Sequence, residues 1–481
     1  MPKRLYIATV GCQMNVLDSE LVAASLLDAG YELVHSPRRA DAILFNTCSV
    51  RQHAEDKIYS ALGRLKHVKE HRPQTIIGVL GCMAQKDREK IFKRAPHVDL
   101  VVGPGQLGQL PLLLERVAAG RGPQIEISLD RKAGPRKAVE SSFVRFDRSR
   151  NVVARAARHQ AMVRIMLGCD KFCTYCIVPS VRGPEQCRPP AEIEAEVREL
   201  ADQGCLEVTL IGQTVNSYES RAGGRTFHLA DLLERLDAIE GVRRLRFVTN
   251  HPRSITSDLL QAVRDLPKVC PYLHVPAQSG SNRILQRMKR GYTVEQYREM
   301  LGRIRRTLPQ AAVTSDFIVG FCGETEEDFQ ETADLVRDGR FKNSFIFKYS
   351  PRPGTKAVEL YADDVPDEVK RRRNNELLAL QDATSEEENR PFLGRTLEIL
   401  VEGPSKTSKK HAEKGGMATS SWPCSSQSHE DVGMAPVQLT GRTVCDRIVV
   451  FDGPAGLIGR IVPVEIVGTG AFTLFGKGGR R

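Results

Sequence analysis

Three stretches near the N-terminus repeat one pattern. In RLYIATVGC, DAILFNTC and TIIGVLGC an apolar run of strand length closes on a cysteine, at Cys12, Cys48 and Cys82. The spacings, 36 and 34 residues, leave room for one strand, one helix and a return loop, and helical stretches such as SELVAASLLDAG, read as amphipathic, fill the gaps. Parallel strands joined by right-handed crossovers bring their carboxyl ends to one edge of a sheet. The pattern therefore predicts a doubly wound α/β unit over residues 1–125 with three thiols converging on that edge. Three separately buried structural cysteines are the plainer alternative. Recurrence at the same place in successive units argues against it.

A second series follows, with strand-like runs at AMVRIML, LEVTLIG, LRFVT, YLHV, AAVTSDFIVG and NSFIFKY, separated by helical patterns such as AEIEAEVRELADQG. Six such units over residues 159–390 predict an open, partial (βα)6 barrel with its site at the strand carboxyl ends. The loops there carry Gln213 and Asn216, Asn250 and His251, then Gln278 and Ser279. Taken singly, these are ordinary turn residues. From PFLGRTLEILVEG onward the helices stop. Short strands and glycines over residues 391–477 predict a small all-β barrel of the oligonucleotide-binding sort. Residues 404–437 within it are rich in Ser, Gly and Lys without periodicity and read as a flexible insertion, in which Trp422 and Cys424 are incidental.

Composition narrows the class. Apolar residues make up 41% and charged residues 27% of the 481 positions, as in water-soluble globular proteins, and no apolar run approaches the ~18 residues of a spanning helix. The start, MPKRLYIATVGCQMN, has neither a secretory core nor a transit-peptide composition, so a cytoplasmic protein without membrane contact is expected. The net charge is +11. Residues 131–158, read as a basic linker over 126–158, hold nine Lys/Arg against Glu140 and Asp147. A polyanion is one natural partner for such a stretch, and plain solvation is the other reading. The 12 cysteines of a large cytosolic chain point to metal or redox chemistry rather than disulfides.

The sharpest chemical signal opens the barrel. LGCDKFCTYC sets Cys169, Cys173 and Cys176 as Cys-x3-Cys-x2-Cys directly after the first strand of the second series. Three thiolates in one loop suit three irons of a four-iron cluster, leaving the fourth iron open. A structural zinc site would want a fourth protein ligand, and chance spacing is the remaining alternative.

This loop resembles that of the radical S-adenosylmethionine (SAM) superfamily. GCQMNVLDSE, NTCSVRQHAEDK, CTYCIVPSVRG, VPAQSGS and SDFIVGFCGETEEDF resemble the methylthiotransferases within it, most of all the tRNA 2-methylthio-N(6)-isopentenyladenosine synthases of the MiaB type. The resemblance spans the chain apart from 404–437 and implies an N-terminal sheet domain, a radical SAM barrel and a C-terminal TRAM domain. It implies two 4Fe-4S clusters, one on Cys12, Cys48 and Cys82 and one on Cys169, Cys173 and Cys176. SAM would chelate the second cluster and yield a 5′-deoxyadenosyl radical on reductive cleavage. The C2–H of adenine is neither acidic nor easily displaced, so replacing it with sulfur calls for such a radical. Gln213, Asn216, Ser279 and, mid-strand, Asp316 are the residues carried over as SAM contacts.

The implied partners are a tRNA anticodon stem-loop, SAM, an electron donor such as flavodoxin or ferredoxin, and a sulfur donor, with the chain acting as a monomer. Methylthiolation of threonylcarbamoyl-adenosine or of a ribosomal-protein aspartate, and a non-catalytic iron–sulfur RNA-binding role, are the alternatives; GCQMN argues against the first two and the intact cysteine loop against the third. Cys322 stands where the family usually has Pro and is expected to be inert. Cys187, Cys205, Cys270, Cys424 and Cys445 have no ligand spacing. Because both triads precede residue 392, removal of 392–481 is expected to spare SAM cleavage.

Overall fold

A computed structural model describes residues 2–49, 52–127, 146–147, 150–408 and 437–478. Most of the basic stretch and residues 409–436 of the insertion lie outside the described residues. The N-terminal unit is an all-parallel six-stranded sheet made of β1 (Lys3–Val10), β2 (Tyr31–Leu33), β3 (Ala42–Thr47), β4 (Ile76–Gly81), β5 (Leu100–Val102) and β6 (Gln124–Glu126), in the order β2-β1-β3-β4-β5-β6. β3 and β4 are buried throughout, because both faces of the sheet are covered. On one side lie α1 (Gln13–Asp28) and Leu110, Leu113 and Leu114. On the other, Ile58, Leu62 and Leu65 of α2 (Gln52–His71) pack with Met83 and Ala84 of α3 (Cys82–Asp87).

The amphipathic reading of SELVAASLLDAG needs correction. Asp18, Ser19 and Glu20 are as buried as the leucines around them. The reason is tertiary: Ser19 accepts from Thr9 and Asn46 of its own sheet, and the second unit lies against Asp18 and Glu20. Arg164 donates to Asp18 Oδ1 at 2.7 Å and also pairs with Asp147, while Arg182 donates to Asp18 Oδ2 at 2.8 Å. Arg188 bridges Asp147 and Glu196, and Arg150 pairs with Glu196.

The second unit is an open barrel of β7 (Gln160–Arg164), β8 (Glu207–Ile211), β9 (Arg244–Phe247), β10 (Tyr272–His274), β11 (Ala312–Val319) and β12 (Asn343–Lys348). The strands form two parallel three-stranded sheets, β7-β8-β9 and β10-β11-β12. They are joined where Leu245 N donates to Lys268 O and Cys270 N to Leu245 O. Alternate residues, among them Val208, Leu210, Leu245, Phe247, Phe317 and Val319, point outward into the core shared with the helices.

The run AMVRIML does not stay one strand. After Arg164 it leaves the barrel sheet, and Met166–Leu167 pair antiparallel with Gln186–Cys187, so the cysteine loop is the tip of a hairpin. Gly168 permits this at φ +74, where a Cβ would lie 1.9 Å from the Pro184 carbonyl oxygen.

The C-terminal unit is a closed five-stranded barrel of β13 (Thr396–Pro404), β14 (Val437–Arg442), β15 (Ile448–Gly453), β16 (Ile461–Thr469) and β17 (Thr473–Gly478), in the order β13-β14-β15-β17-β16, around Ile399, Val401, Leu439, Val449, Phe451, Val464, Ile466 and Leu474. It docks on the amino end of the open barrel. Arg244 donates to the carbonyls of Arg442 and Glu398, Arg246 to those of Thr443 and Val444, and Lys342 pairs with Asp446 at 3.1 Å. Among the described residues no helix is long and apolar enough to cross a membrane.

Candidate active site

The adjacency of β1, β3 and β4 sets the first triad. Cys12 caps α1 directly beyond β1, Cys48 follows β3 with its N–H on the Val10 carbonyl, and Cys82 opens α3 after β4. A buried amide network fixes their spacing. Asn15 donates to Asn46 Oδ1 at 3.0 Å and to the Thr47 carbonyl at 3.2 Å, and accepts from Cys12 Sγ at 3.2 Å. Asn46 returns a bond to the Asn15 carbonyl at 2.9 Å. Gly81, at φ +88, leaves room for this: its Cβ would sit 2.4 Å from Asn46 Oδ1.

Cys12 is exposed; Cys48 and Cys82 are buried. A hydrogen bond from Cys48, helped by the Arg182 charge, pulls the Cys12 thiol down to about 6 despite its partial desolvation. Burial pushes Cys82 up, and Arg182, whose Nε donates to Cys82 Sγ at 3.3 Å, acts against it.

The second triad occupies the hairpin tip. Phe172 takes a left-handed backbone at φ +52, which folds Cys173 and Cys176 back toward Cys169. Thr174 pins the loop by donating to the Met288 and Arg287 carbonyls and accepting from Ala357 N. Burial drives the Cys176 thiol up to about 12 and raises Cys169 as well, with Cys173 adding to both shifts. Arg290 Nη1 donates to Cys173 Sγ at 3.2 Å.

The two triads share a wall. Ile177, the residue after Cys176, and Val181 of α4 (Val178–Arg182) pack with Cys82 in one buried cluster. Arg182, at the end of α4, reaches from the second unit to a sulfur of the first.

Of the residues expected to touch SAM, Gln213 is half-buried beyond β8. Asp316 faces the barrel interior 3.5 Å from His274 Nε2, with its Oδ1 buried and without a hydrogen-bond partner among the described residues. The amide of Asn216 is engaged at both ends, donating to the His251 carbonyl at 2.9 Å and accepting from His251 N at 2.7 Å. The Ser279 hydroxyl lies among Thr332 Oγ1 and Ser281 N. The last strand turns Phe345, 53% exposed, onto the same face as its register partner Asp316.

Sequence reasoning missed Arg182, Arg290 and Phe345. Arg182 stands in the CTYCIVPSVRG run, but nothing along the chain marks a buried arginine before its partners are known.

The donor chemistry suits iron–sulfur clusters. Each triad is all sulfur, the soft donor such clusters take. A four-iron cluster takes one cysteine per iron and holds the sulfurs apart.

Residues 4–103 match uncharacterized protein family UPF0004, and residues 163–336 match the radical SAM superfamily. A tRNA-2-methylthio-N(6)-dimethylallyladenosine synthase of Rhodopirellula baltica is 54% identical over 477 residues, 99% of this chain and 96% of its own length. One of the same name from Moorella thermoacetica is 43% identical over 99% of this chain and 98% of its own length. Among solved structures, the radical SAM methyltransferase TsrM of Kitasatospora setae, with cobalamin and a 4Fe-4S cluster bound, superposes with a TM-score of 0.51 at 14% identity over 74% of this chain and 77% of that one, a likeness of fold. With relatives this similar along nearly its whole length, the chain belongs to the family of tRNA-2-methylthio-N(6)-dimethylallyladenosine synthases.

Proposed function

We propose that this protein methylthiolates C2 of N(6)-dimethylallyladenosine beside the anticodon of tRNA. The observation that carries the reading is the shared wall of the two triads: Ile177, next to Cys176, packs on Cys82, so the loop that carries the second triad abuts a thiol of the first. Cys169, Cys173 and Cys176 would hold the SAM-binding 4Fe-4S cluster, and Cys12, Cys48 and Cys82 a second one. When bound, these clusters and SAM supply the radical, the sulfur and the methyl group, with electrons and sulfur coming from donor partners.

The chain's own residues place and shield the reactants. Gln213 and Asp316 offer the barrel interior polar groups for the SAM nucleoside. Asn216 and Ser279 hold the shape of the strand-end loops. Phe345, apolar and exposed on the concave face, provides a surface against which a flat purine and its hydrocarbon chain lose water. The tRNA backbone is met by the chain's net positive charge. Arg150 and Arg155 do not contribute to it, since both are buried, Arg150 against Glu196.

The test is a single-turnover assay on anaerobically reconstituted protein with SAM, a reductant and tRNA carrying dimethylallyladenosine, read by nucleoside mass spectrometry. Wild type should yield the 2-methylthio nucleoside and 5′-deoxyadenosine. Cys173→Ala should yield neither, and Cys48→Ala only 5′-deoxyadenosine. Thiolated product from Cys48→Ala, or product on threonylcarbamoyl-adenosine alone, would overturn the proposal.

A further inference from the structure

Arg290 is buried at 8% exposure, and four hydrogen bonds hold its guanidinium in an unusual set. Nη1 donates to Cys173 Sγ at 3.2 Å and Tyr175 Oη at 3.4 Å, Nη2 to the Pro276 carbonyl at 3.1 Å, and Nε to Tyr292 Oη at 3.0 Å. Tyr292 is itself tied to the Ala277 carbonyl at 2.7 Å. Every acceptor is neutral or a thiol. Among the described residues no carboxylate forms an ion pair with this guanidinium, whereas Arg182 and Arg164 share Asp18, and Arg188 holds Glu196 at 2.6 Å.

A buried cation without a counter-charge costs several kcal/mol. A fold that keeps one, with its guanidinium held in place by four hydrogen bonds, leaves the balancing negative charge to something the protein binds. Among the described residues, the titratable groups that interact with it are Cys173, Tyr175 and Tyr292, and its charge also reaches Cys176, His251 and Tyr297; none is a carboxylate, and Cys173 and Cys176 belong to the triad.

We propose that Arg290 is a positioning residue, the built-in counter-cation of the cluster held by Cys169, Cys173 and Cys176, which fixes Cys173 and raises that cluster's reduction potential. The inference rests on the reading that this triad holds an iron–sulfur cluster. Each electron added makes a thiolate-bound cluster more negative, and hydrogen bonds to its sulfurs are a main determinant of its potential. A buried guanidinium on Cys173 therefore favours the reduced form and brings the couple within reach of a donor. Arg182 makes the matching contact to Cys82, but Asp18 already neutralises it. The two triads thus differ in electrostatic surroundings although each has a guanidinium on one sulfur.

The experiment uses the full-length chain carrying Cys12→Ala, Cys48→Ala and Cys82→Ala, so that only the second triad can take up iron. Iron content and an EPR-monitored redox titration are recorded for this parent and for Arg290→Lys, Arg290→Gln and Arg182→Gln added to it. In Arg290→Gln the reduced form should weaken at least tenfold relative to the oxidised form, a downward shift of about 59 mV or more for a one-electron couple. Arg290→Lys, which keeps the charge and loses the fork, should fall between, and Arg182→Gln should match the parent.

If Arg290→Gln cannot retain iron, retention by Arg290→Lys supports the proposal, because charge is what separates the two. Equal potentials in the parent and Arg290→Gln overturn it. Equal loss of iron from Arg290→Gln and Arg290→Lys also overturns it, since shape rather than charge would then be required. A parent that binds no iron at all would instead refute the cluster assignment, a distinguishable result.

Discussion

His251 shows how one side chain ties the site to pH. It is buried beside Asn216 and Tyr292, with its Nδ1 accepting from Arg253 N. Burial, with the positive charges of Arg290, Lys171 and Arg253, drives its pKa from 6.5 down to about 3. The depressed value sets the sign: between those two values the unfolded chain binds a proton that the folded chain refuses. Stability is therefore full above pH 6.5 and falls as pH drops toward 3, with a slope of at most about 1.4 kcal/mol per pH unit. Urea midpoints at pH 7 and pH 5 should separate more in wild type than in His251→Gln; equal separations would remove His251 from the acid response. The six cysteines were legible along the chain because ligand spacing and recurrence at strand ends are one-dimensional signals. Arg182 and Arg290 were not, because a buried arginine and a solvated one look alike until their acceptors are assembled from distant segments.

At the scale of elements, two departures from the hydrophobic pattern have one origin. The run AMVRIML is uniformly strand-like, yet its last two residues turn away to pair with Gln186–Cys187, a partner the pattern does not encode. The turn depends on Gly168. Gly168→Ala would force a Cβ against the Pro184 carbonyl at positive φ, a strain of order 1–3 kcal/mol, and should lower iron uptake by the second triad while sparing the first. Comparing iron content in backgrounds retaining one triad each checks this. The helix α1 departs likewise, its Asp18 and Glu20 being covered by the second unit rather than by water. Removing Asp18 leaves Arg164 and Arg182 without their shared carboxylate. Breaking such a buried network costs about 3–5 kcal/mol, so Asp18→Ala should lower the thermal midpoint markedly, as calorimetry would show; an unchanged midpoint would mean the arginines re-pair.

For the whole molecule, the order of units and the three architectures followed from periodicity alone, but how the units dock did not. The expectation that removing residues 392–481 spares SAM cleavage took the C-terminal barrel for an appendage. The structure instead seats it on Arg244, Arg246 and Lys342, so truncation takes the acceptor carbonyls from both arginines, leaving them only Glu207, and Asp446 from Lys342, and should destabilise the barrel that holds the second triad. Point variants on the surface of the small barrel are the better probe of tRNA binding. Affinity for tRNA should fall with salt by a log–log slope of about 0.7 to 0.9 per phosphate contacted, and exchanging Lys477 for Gln should reduce that slope if the small barrel meets the backbone. A slope identical to wild type at matched ionic strengths would place the contact elsewhere.

The shared carboxylate of Asp18 has a consequence for inheritance as well as for stability. Because Arg164 and Arg182 come from one unit and Asp18 from the other, the N-terminal sheet is not a free cassette. A chimera that grafts another sheet domain onto this barrel will assemble only if the incoming first helix brings an acid at the same turn. Natural recombination between such units is expected to have moved the acid and the two arginines together.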